Sequence, residues 1–388
     1  MKKALEGLVV LDLSQVYQGP YCTLLLAYHG AKVIKVESPK GDILRERHES
    51  KVPHEFLMFN TNKYGVTLDL KSKDGKKAFL ELVEDADILV ENFTPGVMKR
   101  LELDYDEVLK KRNPRLIYAT ATAYGLTGPY RDFPGMDLTV QAIGGVMSST
   151  GYPDMPPVKA GPAIADLLGG THLLAGIGLA LYQRERTGEG QKVEVSMHDT
   201  LYPTLASPLA ALYDGDPDNY RERTGNKHSG LRAAPYNVYP AKDGFVAIIC
   251  ATERHWQLLV DILEQQTLLE KEEYKNTINR AAHMDEVDQF VTEWTKDINK
   301  WEIVELLTTK GIPAAPVLTV KEVANDRHLI ERNMIVEINH PSKGKVKVPG
   351  SPIRLSKSIV DSFQPAPLLG QHNEEIFENM MKKEEERI

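Results

Sequence analysis

The sequence predicts an α/β fold, with a parallel sheet at the start of the chain and a smaller second domain further on. Three observations carry this. The opening reads strand–helix–strand, a connection that calls for parallel pairing. The pattern then repeats as α/β units over roughly the first 125 residues. Composition shifts after that: residues 208–240 are rich in Asp, Pro, Asn, Arg and Gly, and all three tryptophans (Trp256, Trp294, Trp301) fall within 250–305.

Each element has a local reason. GLVVLDLS (7–14) is a short apolar run of buried-strand type. Pro20 suits a first helical turn, Leu24 to Tyr28 form the helix body, and Gly30 is a C-terminal stop. AKVIKVE (31–37) and VTLDL (66–70) read as strands. DGKKAFLELVEDA (74–86) has helical spacing, with apolar residues at 78, 79, 82 and 83. ADILVENF (86–93) is a strand running into a turn, and one or two short helices follow until Asn113-Pro114. RLIYATATAYG (115–125) is a strand, 163–184 a long helix, TGEGQ (187–191) a turn and KVEVSMHD (192–199) a strand. Residues 208–240 read as a long connection, and the second domain spans about 225 to 315. VPGSPIRLS (348–356) and the tail PAPLLGQHNEEIFENMM read as a return to the first domain or a strap over it.

With 388 residues, 42% hydrophobic, 26% charged and a net charge of −8, the composition is that of a globular protein of about two domains. No basic block stands out, so nucleic acid and anionic membranes are poor partners. The apolar run near the N-terminus is too short for a signal-peptide core, and no stretch is expected to reach membrane-spanning length. The two cysteines, Cys22 and Cys250, lie far apart, and the eleven histidines show no ligand spacing. The expectation is a soluble, cytoplasmic protein with no metal. GxGxxG after a strand, GxxxxGK[ST], HExxH and GxSxG are all missing.

AGPAIADLLGGTHLLAGIGLALY (160–182) is small or apolar almost throughout, yet it carries Asp166. Two accounts fit. A carboxylate in a helix's first turn is favoured by free N–H groups and the macrodipole. Alternatively it is a nucleophile in a cleft, with Gly169 and Gly170 letting a ligand approach backbone. Residue chemistry alone leaves both open.

The series GLVVLDLSQVYQGPYCTLLLAYHGAKVIKVESP, LDLK (68–71), ADILVENFTPGVMKRLEL, NPRLIYATATAYGLTGPY, MDLTVQAIGGVMSSTG, AIADLLGG, TGEGQKVEVSMHD, GIPAAPVLTVKEV and APLLGQHNEEI resembles the class III (family III) CoA-transferases. The likeness runs in order over essentially the whole chain. It implies a Rossmann-like large domain (1–210) that binds CoA, a small domain (225–315) and a C-terminal segment (316–388) returning to the large domain. It also implies an interlocked homodimer.

By the same resemblance Asp166 is the catalytic residue, moving CoA from a short acyl-CoA to a small carboxylic acid through an aspartyl-CoA thioester. Coenzyme A and its acyl thioesters are then substrates, with no permanently bound cofactor. An apolar setting keeps water from the anhydride and raises the carboxyl pKa. The CoA-binding positions implied are Gln15, Val16, Tyr17, Gln18, Leu68, Lys71, Asn92, Phe93 and Arg100. Lys and Arg suit phosphates, and Leu68 and Phe93 can flank an adenine. One member of the family has a glutamine at the position of Tyr17; here it comes one residue later, at Gln18. An arginine of that member is Ser38 here, with Lys40 close by as a replacement.

In the triplet Gly135–Met136–Asp137, related racemases carry a histidine where Met136 stands. Met136 cannot titrate, which favours transferase over acyl-CoA racemase or epimerase chemistry. Asp137, counted with the CoA-binding positions, either orients the site or hydrogen-bonds its own turn. The stretch 225–240, with His228 and Arg232, either grips the far end of an acid or is an interdomain loop. Cys22 near a helix start has the look of a low-pKa thiol, but Asp166 already explains the chemistry. A CoA-binding partner protein without activity is the remaining alternative.

Overall fold

The computed structural model describes residues 3–47, 49, 52–215 and 220–378. The last three residues of the tail stretch, and 216–219 of the connection, lie outside the described residues. In chain order the elements are β1 (Val9–Asp12), α1 (Gln18–Tyr28), β2 (Lys32–Glu37), α2 (His54–Asn60), β3 (Tyr64–Thr67), α3 (Lys73–Glu84), β4 (Ile88–Glu91), α4 (Val97–Arg100), α5 (Lys110–Arg112) and β5 (Ile117–Thr122). There follow α6 (Asp137–Ile143), α7 (Val146–Ser149), α8 (Ile164–Thr187), β6 (Lys192–Ser196), α9 (Met197–Leu201), α10 (Ala206–Asp214), β7 (Tyr236–Ala241) and β8 (Gly244–Ile249). The chain ends with α11 (Glu253–Ile262), α12 (Thr277–Ala282), α13 (Met284–Thr295), α14 (Lys300–Thr309), β9 (Ala314–Pro316), α15 (Val320–Val323), α16 (Arg327–Glu331), β10 (Ile335–His340) and β11 (Gly344–Pro349).

The described residues divide into two compact units, one within 1–144, 161–202 and 326–388, the other within 145–160 and 203–325. The first is built on a six-stranded sheet in the order β3-β2-β1-β4-β5-β6, and every neighbouring pair is parallel. Strands covered on both faces need apolar residues on both, and β4 and β5 are buried throughout. Successive side chains point to opposite faces. Val10, Ile88, Val90 and Ala119 accordingly pack with Leu173, Ile177 and Ala180 of α8. Leu11, Ile34 and Leu89 pack on the other side with Phe79, Leu82 and Val83 of α3.

Strand order reverses between β1 and β4. In open parallel sheets the crevice at the carboxyl ends of the strands at such a reversal is where ligands bind. The outer edge of β3 is covered by the C-terminal segment: the Gly65 N–H donates to His372 Nδ1 at 3.0 Å and the Thr67 N–H to Asn373 Oδ1 at 2.9 Å. Covering an edge in this way satisfies groups that would otherwise recruit another strand.

Two sequence readings are corrected here. Helix α8, at 24 residues with a mean hydropathy of 1.6, is long and apolar enough to cross a membrane, contrary to expectation. It packs instead against α1, β5, β6 and α9 of its own unit, and near its end the buried Arg184 pairs at 3.0 Å with the partly exposed Asp87. The connection 208–240 contains much of α10 and most of β7. Pro240 hid that strand; β7 is the edge of the antiparallel sheet β7-β8-β9, where a missing N–H is tolerated.

The second unit has its own core. Tyr239, Val246 and Ile248 of its sheet pack with Trp256, Leu259, Val287, Val291, Ile303 and Leu307 of the helices.

Candidate active site

The turn after β1 is built from inside the protein outward. Asp12, fully buried, accepts from the Ser14 hydroxyl, from Thr23 Oγ1 at 2.7 Å and from Lys63 Nζ at 2.9 Å. Burial would raise the Asp12 carboxyl, but the Lys63 and Lys35 ammonium groups outweigh it and hold it at about 2. Lys35 Nζ also donates to the Ser14 carbonyl at 2.7 Å. Above this base the chain turns sharply. Val16 adopts φ +66°, a strained conformation for a β-branched residue. Gly19 packs so closely on Ser14 that a side chain there has no room.

The end of β4 meets this turn. The Gln15 N–H donates to Asn92 Oδ1, and Asn92 Nδ2 donates to the Gln15 carbonyl, both at 2.8 Å. This two-way clasp holds the crevice walls in register.

Asp166 enters from the first turn of α8 and is 9% exposed. Gly169 and Gly170 let that turn lie against α1. A Cβ on Gly170 would stand 2.5 Å from the Gln18 carbonyl oxygen, and one on Gly169 2.5 Å from Gln18 Nε2. Burial, and secondarily the Asp137 carboxylate, push the Asp166 carboxyl up to about 7; the backbone N–H of Gln18 partly opposes them. Gln18 Nε2 is buried and has no hydrogen-bond partner among the described residues. An orphaned buried donor is costly, and Gln18 is one of the residues that line an open cavity.

That cavity, about 280 Å³, is lined by Gln15, Val16, Gln18, Asn92, Phe93, Asp137 and Asp166 among others. A second, of about 220 Å³, is lined by apolar residues, among them Leu13, Val36, Leu68, Phe93, Val97 and Leu101, and by Gln15, Glu37, Ser38, Asp69 and Lys71. Gln15 and Phe93 form walls of both. Of the residues expected around CoA, Gln15, Val16, Gln18, Asn92 and Phe93 line the hollow that also holds Asp166, and Gln15, Leu68, Lys71 and Phe93 line the second, mostly apolar one.

Other expected residues are placed differently. Tyr17 lines neither hollow; its ring packs on Phe59 at 5.1 Å, and burial raises its phenol, with Glu55 adding to the effect. Arg100 closes α4, beside Val97 and Leu101 of the second hollow. Ser38 lines that hollow, whereas Lys40 is exposed and is not among its walls. Both Asp137 oxygens are engaged within the protein, by Ala165 and Asp166 N–H groups and by Gln141. His228 and Arg232 belong to the second unit, where the His228 ring stands edge-on to Tyr236. Cys22 is buried and its thiol is pushed up by burial, which leaves it no thiolate character. Among the described residues no three His, Cys, Asp or Glu side chains are grouped to hold a metal.

Sequence reasoning missed Ile43, Thr94, Phe133 and Met197, which also line the cavity. It missed Lys35 and Lys63 as well, because a buried lysine carries no distinguishing spacing.

Comparison with known proteins gives a single answer. The model of CoA-transferase family III matches residues 5–373. The chain is 37% identical over 390 residues to a formyl-CoA:oxalate CoA-transferase of Streptomyces coelicolor, covering 97% of this chain and 94% of that protein. It is also 37% identical over 387 residues to a succinyl-CoA:mesaconate CoA-transferase of Haloarcula marismortui, covering 97% and 96%. Among solved structures, a CAIB/BAIF family protein from Brucella suis superposes with a TM-score of 0.85 at 31% identity, over 98% of this chain and all of that one.

Proposed function

We propose, from the premise that this chain belongs to CoA-transferase family III, that Asp166 carries CoA from a short acyl-CoA to a small carboxylic acid. One observation carries the reading. A buried carboxylate of raised pKa ends a hollow whose walls, Gln15 and Phe93, it shares with a second, largely apolar one.

The chemistry balances without another reactant. The ionised Asp166 oxygen attacks the donor thioester carbonyl; the C–S bond breaks and CoA leaves as the thiolate. The thiolate attacks the Asp166 carbonyl of the mixed anhydride, releasing the donor acid as a carboxylate and leaving an aspartyl-CoA thioester. The acceptor carboxylate attacks that thioester and expels CoA thiolate, giving a second anhydride. The thiolate then takes the acceptor acyl group and frees Asp166. A higher carboxyl pKa makes the oxygen a better nucleophile once ionised. The Gln18 backbone N–H and its unpartnered Nε2 are suited to the oxyanions that develop.

Lys71 and Arg100 supply charge for the phosphates, Leu68 and Phe93 enclose the adenine, and Gln15, Val16 and Gln18 border the thioester end, with Tyr17 behind them against Phe59. Met136, 55% exposed on the cavity wall, has no proton to exchange, so racemisation lacks its second acid/base group. The donor–acceptor pairs to try first are those in the relatives' names. Formyl-CoA with oxalate and succinyl-CoA with mesaconate, followed by chromatography of the CoA thioesters, should show exchange by the wild type with at least one pair. Asp166→Ala should show none; exchange undiminished in Asp166→Ala would reject the reading.

We further take the chain to act as a homodimer, interlocked as the family resemblance implies. The outer face of α8 supports this, since Leu179 and Tyr182 stand 73% and 60% exposed there beside Ala175.

A further inference from the structure

Helix α8 begins without a cap of its own. Its N-cap residue is Ala163, which has no side-chain acceptor. The first N–H groups of a helix have no partner within it. Two of them are answered from α6: Asp137 Oδ1 accepts from the Ala165 N–H at 2.8 Å and from the Asp166 N–H at 3.3 Å. Asp137 Oδ2 accepts from Gln141 Nε2 at 2.6 Å, one helical turn along α6. One carboxylate therefore ties the start of the helix that bears Asp166 to a neighbouring helix.

This arrangement does two things at once. It fixes the first turn of α8, and so the direction in which Asp166 leaves the helix. It also brings a second negative charge to the reacting carboxylate, and uses N–H groups that would otherwise stabilise its ionised form. Acylation removes the charge on Asp166, and with it the repulsion. We propose that Asp137 is a positioning residue that sets both the aim and the charge state of Asp166 for its attack on the thioester. The proposal rests on the reading of Asp166 as the group that carries CoA.

The surroundings leave Asp137 as the source of this effect. The elements packed against α8 bring Tyr17 ahead of α1, Tyr21, Cys22 and Tyr28 on α1, Tyr118 on β5, Lys192 and Glu194 on β6, and His198 and Asp199 on α9. Of the charged side chains among the described residues, Asp137 is the one that acts on the Asp166 carboxyl, in the same direction as burial. Tyr17 in turn is raised in part by Asp166.

The test uses the full chain in four forms: wild type, Asp137→Asn, Asp137→Ala and Asp166→Asn. Protein labelled with ¹³C at the aspartate carboxyls is titrated by NMR, with Asp166→Asn identifying the Asp166 signal. Thioester exchange is followed over the same pH range. Asparagine keeps an oxygen for the two N–H groups and removes the charge. In Asp137→Asn the Asp166 titration should fall by roughly one pH unit or more, and the acid limb of exchange should fall with it. Asp137→Ala, lacking the acceptor too, should lose about tenfold or more of the exchange rate at pH 8, with Asn restoring most of it. A merely structural role would leave the titration where it is. An unchanged Asp166 titration in Asp137→Asn overturns the proposal, as does full exchange by Asp137→Ala across the pH range. If Asp137→Ala does not fold, the Asn titration decides alone. If the titration moves as stated but even the wild type exchanges nothing, the placement of Asp137 stands and the nucleophile reading falls.

Discussion

At the scale of single residues, Asp166 is an acid held where an ionised acid is disfavoured. Its folded pKa of about 7 lies above the ordinary 3.8, so the folded state holds the proton more tightly than the unfolded chain between those values. Stability therefore falls as pH rises from about 4 to 7, and the full cost is present above pH 7. Denaturant unfolding should find Asp166→Asn more stable than the wild type at pH 8, by roughly 2–4 kcal/mol, with the gap closing toward pH 4. Exchange activity should run the other way, declining as pH drops through about 7 because the nucleophile is the ionised form. Gln18 gives a second residue-level outcome. Its Nε2 bonds to nothing among the described residues, so Gln18→Leu should cost little stability. It should slow exchange by about 10- to 100-fold if that donor meets an oxyanion. Single-turnover rates set beside unfolding curves check both halves. Asp166 was visible in the sequence because it interrupts an apolar run. Asp137 was legible only as a choice between orienting the site and bonding its own turn, because its partners Ala165 and Asp166 lie nearly thirty positions away and a backbone N–H leaves no mark on residue type.

At the scale of elements, the site depends on how closely α8 approaches α1. Gly170 makes that approach possible, since a Cβ there would meet the Gln18 carbonyl, which is backbone and cannot rotate aside. Gly170→Ala should push the two helices apart, cost about 1–3 kcal/mol in unfolding and move Asp166 away from the Gln18 N–H. Exchange should then fall by about a hundredfold or more even where the protein is folded, as checked by rate measurement at a temperature well below its melting point. The strands of the six-stranded sheet and helices α1, α3 and α8 were legible because their apolar spacing is regular and their ends carry Pro, Gly or Asn-Pro. Strand β7 was not, because Pro240 and Asn237 break its pattern, and only its place at a sheet edge makes them acceptable. The β10–β11 hairpin was missed too; its Lys-rich alternation, with Lys345 and Lys347, reads as a solvated loop.

At the scale of the whole molecule, the chain divides into two units with separate cores, and the C-terminal segment covers the β3 edge of the first unit's sheet. A return to the first domain or a strap over it was the reading of VPGSPIRLS (348–356) and the tail stretch. The assignment of 145–160 to the second unit was not legible, since nothing in composition marks a segment that leaves one unit for sixteen residues and comes back. The exposed α8 stripe has its consequence at this scale. Light scattering should give twice the 43.5 kDa chain mass, and Leu179→Asp with Tyr182→Asp should shift it toward that of one chain. The account as a whole turns on a covalent bond between this protein and CoA. The most direct measurement is intact mass under denaturing acid after incubation with formyl-CoA or succinyl-CoA and no acceptor, for wild type and Asp166→Ala. The account predicts a wild-type species heavier by CoA less one water, discharged by hydroxylamine and missing in Asp166→Ala. A wild-type protein that binds CoA but keeps its own mass with every donor tried, or an adduct that persists in Asp166→Ala, would contradict it.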